Sequence, residues 1–127
     1  MLVKNGRVLK SASNNVFKNI HAEEEVLRGL DRADLKNAVL YLTLPPCIDR
    51  KNKKSCAQLI VASPIKKVVC LLDKDYNPRI GRRGLLELEK HGIKVEIISA
   101  PFLKLIYLLL NLPAVVLLVA RSLLTFR

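Results

Sequence analysis

The sequence predicts an α/β fold with a parallel sheet, and two observations support this prediction. Three apolar runs of strand-forming residues, at 38–44, 66–73 and 93–99, are typical of buried parallel strands. One segment with helical character lies between each run and the next, and this alternation is typical of βαβ units. The length of 127 residues suits one domain with a hydrophobic core of its own.

A hairpin and a helix are predicted before the first of these strands. Asn5-Gly6 lies between two short apolar stretches, and this dipeptide is the strongest short hairpin signal. The polar segment 11–19 is expected to be a loop. A helix is predicted from His21, because acidic residues occupy its first turn and apolar residues recur on one face. Those apolar residues are Ala22, Val26, Leu27 and Leu30.

Two further helices are predicted between the three strands. The segment 55–63 begins at Ser55, a residue type that caps helix N-termini well. The segment 82–92 closes at Gly92, and glycine is the usual residue after a helix C-terminus. His91 precedes this glycine and suits the negative end of the helix dipole.

The C-terminal segment is strongly apolar and differs from the rest of the chain. We therefore divide the sequence into a domain at 1–101 and an apolar helical segment at 102–127. Pro113 splits that segment into two helices, each shorter than the about 20 residues of a membrane-spanning helix. We expect core or subunit-interface helices and a homo-oligomer, with membrane contact of this tail as the alternative.

Composition and charge narrow the class of protein. Half of the residues are hydrophobic, which excludes a disordered chain. The formal net charge of +11 favours anionic partners such as nucleotides, nucleic acid or acidic lipid. The chain has three cysteines, an odd number, and its first ten residues lack the apolar core of a secretory signal. We therefore predict reduced thiols and a cytoplasmic location.

The residues His21, Cys47 and Cys56 form a candidate metal site. The loops after neighbouring parallel strands meet at one edge of a sheet, so the imidazole and the two thiolates can converge there. This soft ligand set suits Zn²⁺ and leaves a fourth position for water. Glu23 can face the site without ligating the metal and move a proton of that water. Glu24 and Glu25 are expected to be only solvated, and Cys70, inside the second strand, is expected in the core.

The order of these residues resembles the signature of zinc-dependent deaminases. "HAE" at 21–23 and "PC" at 46–47 resemble the cytidine deaminase superfamily. Eight residues, at 48–55, separate the two cysteines, and this spacing is longer than the usual one. This spacing resembles the pyrimidine deaminase domain of the bifunctional riboflavin-pathway enzyme, as do "LYLTLPPC" and the segment 75–95. The similarity covers residues 3–98.

The resemblance implies a fold and a function. The fold would be a three-layer α/β/α sandwich like that of cytidine deaminase. The function would be hydrolytic deamination of an amino-pyrimidine nucleoside or nucleotide. Glu23 would be the catalytic proton carrier, and the zinc ligands would be those proposed above.

The resemblance also implies substrate-binding residues. "SASNN" before the histidine looks like the substrate asparagine loop of nucleoside and deoxycytidylate deaminases, with Asn14 as the first choice and Asn15 as the second. The carbonyl near Pro45 would contact the base. Since the first hairpin region lacks the Pro-Asn-Pro segment of the riboflavin enzyme, the substrate stays open between a cytidine-type nucleotide and the riboflavin intermediate.

Two other functions are compatible with the sequence. A polynucleotide-editing deaminase would use the basic surface, which includes the segment 48–55 between the cysteines, here called the ligand loop, and Arg79, Arg82 and Arg83. The sequence has no aromatic ladder for stacking single-stranded bases, so nucleic acid is not the favoured partner. The ligand loop is otherwise expected to be solvated. The second alternative is a non-catalytic descendant that binds a partner.

Overall fold

The computed structural model of the chain describes residues 1–75, 77–98, 101 and 105. The strands are β1 (Leu2–Lys4), β2 (Arg7–Lys10), β3 (Val39–Leu42), β4 (Lys67–Cys70) and β5 (Lys94–Ile97). The helices of the described residues are α1 (Ala22–Leu27), α2 (Arg32–Leu35), α3 (Cys56–Ala62) and α4 (Arg83–Lys90). One mixed sheet has the spatial order β2-β1-β3-β4-β5, which confirms the predicted α/β class.

The N-terminal hairpin forms the antiparallel edge of this sheet. Lys4 pairs with Arg7, so that Asn5 and Gly6 are the two residues of the turn. Their φ angles are 51° and 73°, and a two-residue turn of this kind needs positive φ at both positions. β1 also pairs antiparallel with β3, which connects the hairpin to the rest of the sheet.

The parallel half of the sheet sets the position of the candidate site. β3 pairs with β4 and β4 with β5, both in parallel, through the crossover helices α3 and α4. The carboxyl ends of β3 and β4 therefore lie at the same edge, and the loop with Cys47 follows β3 at that edge. Crossovers of one hand place α3 and α4 on one face of the sheet, where they contact each other.

The hydrophobic core lies between one face of the sheet and side chains from all four described helices. Alternate residues of the central strands point into it, because side chains of a strand alternate between faces. The core residues include Leu40, Leu42, Val68 and Cys70 from the strands and Val26, Leu35, Ile60, Leu85 and Leu88 from the helices. Cys70 is fully buried, which confirms its predicted place in the core, and burial raises the pKa of its thiol to about 12.

The predicted tail at 102–127 lies outside the described residues, apart from Leu105. The domain boundary at 101 and the expected homo-oligomer therefore stay predictions. Among the described residues, no helix combines the length and the apolar character needed to cross a membrane.

Candidate metal centre

His21 stands at the start of α1, as its N-cap residue. Its backbone is extended, with φ −80° and ψ 153°, and its side chain makes no capping hydrogen bond. Instead, the N–H of Ala22 donates to Oδ1 of Asn14 at 2.8 Å. The asparagine thus ties the polar loop to the beginning of the helix, and the imidazole of His21 is left for other contacts.

The two cysteines are brought together by the ends of the ligand loop. The N–H of Ala57 donates to the carbonyl of Cys47 at 3.0 Å, and the N–H of Cys56 donates to Sγ of Cys47 at 3.3 Å. Ser55 caps α3 as predicted, in a reciprocal capping box with Gln58. Both cysteine side chains are buried and neither forms a disulfide.

The predicted ligand atoms lie at distances that suit a zinc ion. Nδ1 of His21 is 3.6 Å from Sγ of Cys47 and 3.3 Å from Sγ of Cys56. All three ligand atoms lie within 4.8 Å of one another. A tetrahedral zinc with ordinary Zn–N and Zn–S bonds holds nitrogen and sulfur about 3.5 Å apart. Within the described residues, no other group of three such side chains comes this close.

The two thiols are electrostatically unequal. The side-chain hydrogen bond from Cys56, helped by the one from its backbone N–H, lowers the pKa of the Cys47 thiol below its ordinary value in spite of burial. The same side-chain hydrogen bond, together with burial, raises the pKa of Cys56. Cys47 is therefore the thiol that ionises first. A metal ion has to displace the remaining proton, because only the thiolate is a strong ligand.

Glu23 belongs to the first turn of α1, two residues after His21. It is the second residue of the helix and is partly buried. The negative charge of its carboxylate raises the pKa values of the Cys47 and Cys56 thiols. It is not one of the three side chains whose ligand atoms converge. Its catalytic role stays a prediction.

The next glutamate in sequence was predicted wrongly. Glu24 was expected to be only solvated, but its Oε2 accepts a hydrogen bond from Nη1 of Arg50 at 2.7 Å. The Arg50 side chain is only 6% exposed. The pairing joins two segments far apart in sequence, so helical periodicity contains no signal for it. Among the described residues, Glu25 pairs with exposed Arg28 alone, at 3.6 Å, in keeping with a solvated position.

The predicted substrate residues lie next to the ligand segments. Oδ1 of Asn15 accepts a hydrogen bond from the N–H of Lys18, inside a turn that a backbone bridge closes between Asn15 and Ile20. Oδ1 of Asn14 is used by Ala22, so its amide N–H groups are the part that can reach a substrate. Pro45 is buried directly ahead of the metal-ligand segment. Their substrate contacts stay predictions.

A close contact that the sequence analysis missed supports this segment from α4. A Cβ atom placed on Gly84 would lie 1.7 Å from the carbonyl oxygen of Pro46, the residue before Cys47. The other four glycines have positive φ, whereas Gly84 does not. Glycine is thus required here by the close approach of two backbones and not by its own conformation. The sequence signal was the glycine at the start of a predicted helix.

A family profile and curated relatives match the part of the chain that contains this site. The profile of the cytidine and deoxycytidylate deaminase zinc-binding region matches residues 1–72. The riboflavin biosynthesis protein RibD of Actinobacillus pleuropneumoniae is 30% identical over 95 residues, which are 75% of this chain and 25% of that protein. The diaminohydroxyphosphoribosylamino-pyrimidine deaminase of Buchnera aphidicola is 30% identical over 97 residues, which are 76% of this chain and 65% of that protein.

Solved structures agree with this assignment. Acinetobacter baumannii RibD, form 2, has a TM-score of 0.68 and 31% identity, over 76% of this chain and 27% of that one. A diaminohydroxyphosphoribosylaminopyrimidine deaminase/5-amino-6-(5-phosphoribosylamino)uracil reductase of Thermotoga maritima has a TM-score of 0.67 and 34% identity, over 76% and 28%. The chain thus spans about a quarter of the length of the RibD proteins it matches.

These structures confirm the predicted cytidine deaminase-like α/β fold. The family profile covers more than half of the chain, and the stretch it matches contains His21, Cys47 and Cys56. The chain therefore belongs to the family of the cytidine and deoxycytidylate deaminase zinc-binding region.

Proposed function

We propose that this protein is a zinc-dependent hydrolytic deaminase of an amino-pyrimidine. The observation that carries the proposal is the spacing of the three ligand atoms, which fits one zinc ion with a position left for water. The ligand atoms come from both sides of the ligand loop and from the start of α1. The family match supports the same chemistry.

In the proposed reaction, three residues would bind the metal ion and a fourth would transfer protons. His21, Cys47 and Cys56 would hold the zinc, which when bound lowers the pKa of a water molecule and so supplies a nucleophile at neutral pH. Glu23 accepts the proton of that water and delivers it to the pyrimidine ring nitrogen. The water oxygen bonds to the carbon that carries the exocyclic amine. The C–N bond then breaks as Glu23 transfers the second proton of the water to the amine, so that a carbonyl remains and ammonia leaves.

We propose a phosphoribosylamino-pyrimidine as the substrate class, of the kind named for the Buchnera relative. The eight-residue ligand loop and the RibD relatives support this choice over cytidine. Asn14 would donate its amide N–H groups to a polar edge or hydroxyl of the substrate, with Asn15 beside it. The backbone carbonyl near Pro45 would accept from the base. A cytidine-type nucleotide is the competing substrate.

Ammonia release from a substrate panel tests the proposal. The zinc-loaded protein is incubated with cytidine, deoxycytidine, their monophosphates and the diaminohydroxyphosphoribosylamino-pyrimidine. We expect turnover of the last compound, loss of turnover after treatment with a chelator, and recovery when zinc is added back. Turnover of deoxycytidine monophosphate alone would move the substrate to the cytidine class. Zinc-loaded protein that releases no ammonia from any member of the panel would contradict the proposed function.

A further inference from the structure

We propose that Glu24 and Arg50 are positioning residues that hold the two metal-ligand segments together. Neither residue is a ligand, and neither was predicted to have a role in the site. The inference rests on the proposed function only for its consequence in catalysis. Its direct consequence is the retention of the metal ion, which can be measured without any substrate.

Arg50 makes two hydrogen bonds to the start of α1, one on each side of His21, and these two bonds are here called the Arg50 bracket. Nη1 of Arg50 donates to Oε2 of Glu24 at 2.7 Å, and Nη2 donates to the backbone carbonyl of Asn19 at 2.6 Å. Asn19 precedes His21 by two residues and Glu24 follows it by three. One guanidinium therefore fastens the chain on both sides of the histidine ligand.

Arg50 itself lies in the segment between the two cysteines. Arg50 follows Cys47 by three residues and belongs to the ligand loop, whose last residue precedes Cys56. The bracket thus ties the segment of the nitrogen ligand to the segment of the sulfur ligands. Lys53 reinforces it weakly, since its Nζ lies 3.3 Å from the Asn19 carbonyl and 3.9 Å from Glu24, and its side chain is 41% exposed.

The placement of the pair favours a geometric role over a contribution to overall stability. The Arg50 side chain is 6% exposed and that of Glu24 is 21% exposed. The desolvation cost of such a pair offsets much of its attraction, so a buried ion pair is weak evidence for net stabilisation. A planar guanidinium that donates in two directions does, however, restrict where both partners lie.

The surrounding structure explains why such a restraint is needed. Helix α1 has only six residues, and His21 itself makes no capping hydrogen bond. The ligand loop has eight residues and no helix or strand of its own. Residues that orient metal ligands from outside the ligand set change metal affinity by about 10- to 100-fold when they are replaced.

The rate of zinc release tests this inference. Zinc-loaded protein is mixed with excess 4-(2-pyridylazo)resorcinol, and transfer of the metal is followed by absorbance. The variants are Glu24→Gln, Arg50→Gln and the conservative Arg50→Lys. Glu25→Gln is the matched control, since it removes a neighbouring carboxylate of the same helix whose partner is exposed. We expect zinc release about 10- to 100-fold faster in the two glutamine variants. Arg50→Lys should be intermediate, because an ammonium keeps the charge but not the planar geometry.

Two further measurements separate positioning from folding and from catalysis. The charge-swapped protein, Glu24→Arg with Arg50→Glu, should recover slow zinc release in part. Urea unfolding in the presence of excess zinc reports the effect on overall stability.

Each alternative outcome has a definite meaning. Glutamine variants that unfold at lower urea but release zinc at the wild-type rate would overturn the inference, as would faster release in Glu25→Gln alone. If Arg50→Gln does not fold, Arg50→Lys and Glu24→Gln decide the matter by the same rate. Wild-type protein that holds zinc but releases no ammonia would overturn the proposed function alone. Wild-type protein that holds no zinc would overturn both.

Discussion

Glu23 and Glu24 are neighbours in sequence with different surroundings in space. Consecutive residues of an α-helix point about 100° apart, because 3.6 residues complete a turn. One carboxylate therefore acts on the thiols of Cys47 and Cys56, while the next one pairs with Arg50. Two chemically identical side chains thus acquire different surroundings from helical phase.

The replacement of Glu23 by glutamine isolates proton transfer. Glutamine keeps the size and the hydrogen bonds of the side chain but cannot carry the proton. We expect Glu23→Gln to retain zinc and to lower turnover by at least about 10²-fold, a typical contribution of general acid–base catalysis. Turnover is measured as ammonia release, with Glu25→Gln as the control. Full activity of Glu23→Gln would exclude Glu23 as the proton carrier.

Individual cysteine replacements test the ligand assignment. Wild-type protein should hold one zinc ion per chain, measured by atomic absorption. Cys47→Ala and Cys56→Ala should lose it, because each removes one of the three converging ligand atoms. Cys70→Ala should keep it, since this thiol is buried in the core and is not part of the group. Retention of stoichiometric zinc by Cys56→Ala would show that the ligand assignment is wrong.

Helix α4 acts as a support for the ligand segment through the contact of Gly84 with Pro46. In the interior of an ordinary helix, replacing glycine by alanine stabilises the protein by about 1 kcal/mol. At Gly84 the added Cβ would overlap a backbone carbonyl, and the two elements would have to separate. We expect Gly84→Ala to lower the free energy of unfolding by about 1–3 kcal/mol, the usual cost of overpacking.

Urea unfolding measures this change, and the zinc-release assay shows whether the shift reaches Cys47. A stabilised Gly84→Ala protein would mean that the two backbones are not in close contact.

The pairing of β4 with β5 includes a charged cluster that should respond to acid. Glu96 lies 3.1 Å from Nζ of Lys94 and 3.2 Å from Nζ of Lys67, and hydrogen bonds from these lysines lower its pKa from the ordinary value of 4.5. Because the pKa of this carboxyl is lower in the folded than in the unfolded protein, its contribution to folding stability is fully present above pH 4.5. The contribution is lost as the pH falls through the pKa of the folded state.

Because the cluster is partly exposed, its contribution is at most about 1 kcal/mol. Urea unfolding of wild type and Glu96→Gln between neutral and acidic pH measures it. The two proteins should differ in stability at neutral pH and converge in acid. A difference in the free energy of unfolding that grows in acid would contradict this prediction.

Elements with local sequence signals could be predicted, whereas contacts between distant segments could not. Asn5-Gly6 specified the hairpin turn, and Ser55 specified the start of α3. Helix α2 was missed because four residues are too few to show periodicity. Its signal was the reciprocal cap between Asp31 and Asp34.

At the scale of the whole molecule, the fold and the convergence of His21, Cys47 and Cys56 could be predicted because each depends on residue type and spacing. The ion pair of Glu24 with Arg50 could not, since it joins residues 26 positions apart through the folded sheet. The surface charge was also harder to interpret. Arg50 and Lys53 of the ligand loop are engaged within the protein, and Arg82 pairs with Glu89 at 3.7 Å.

The net charge of +11 leads to a prediction about nucleic acid. Binding to RNA or single-stranded DNA that rests on charge alone weakens steeply as salt increases. We expect no ammonia release from either polymer, and undiminished turnover of the small pyrimidine with excess RNA at physiological salt. Salt-resistant binding together with deamination of a polynucleotide would favour the editing function instead.

The hydrogen bonds between Cys47 and the start of α3 bring the two ends of the ligand loop to one place. A loop whose ends are held together can change in length at little cost, because closure entropy rises only slowly with the number of residues. The two sulfur atoms are then held relative to each other by these bonds, and Arg50 is the loop residue that ties them to the segment of His21. The segment is therefore a natural site for grafting: provided that Arg50 is kept, a different sequence can be inserted to alter substrate preference while the metal site remains in place.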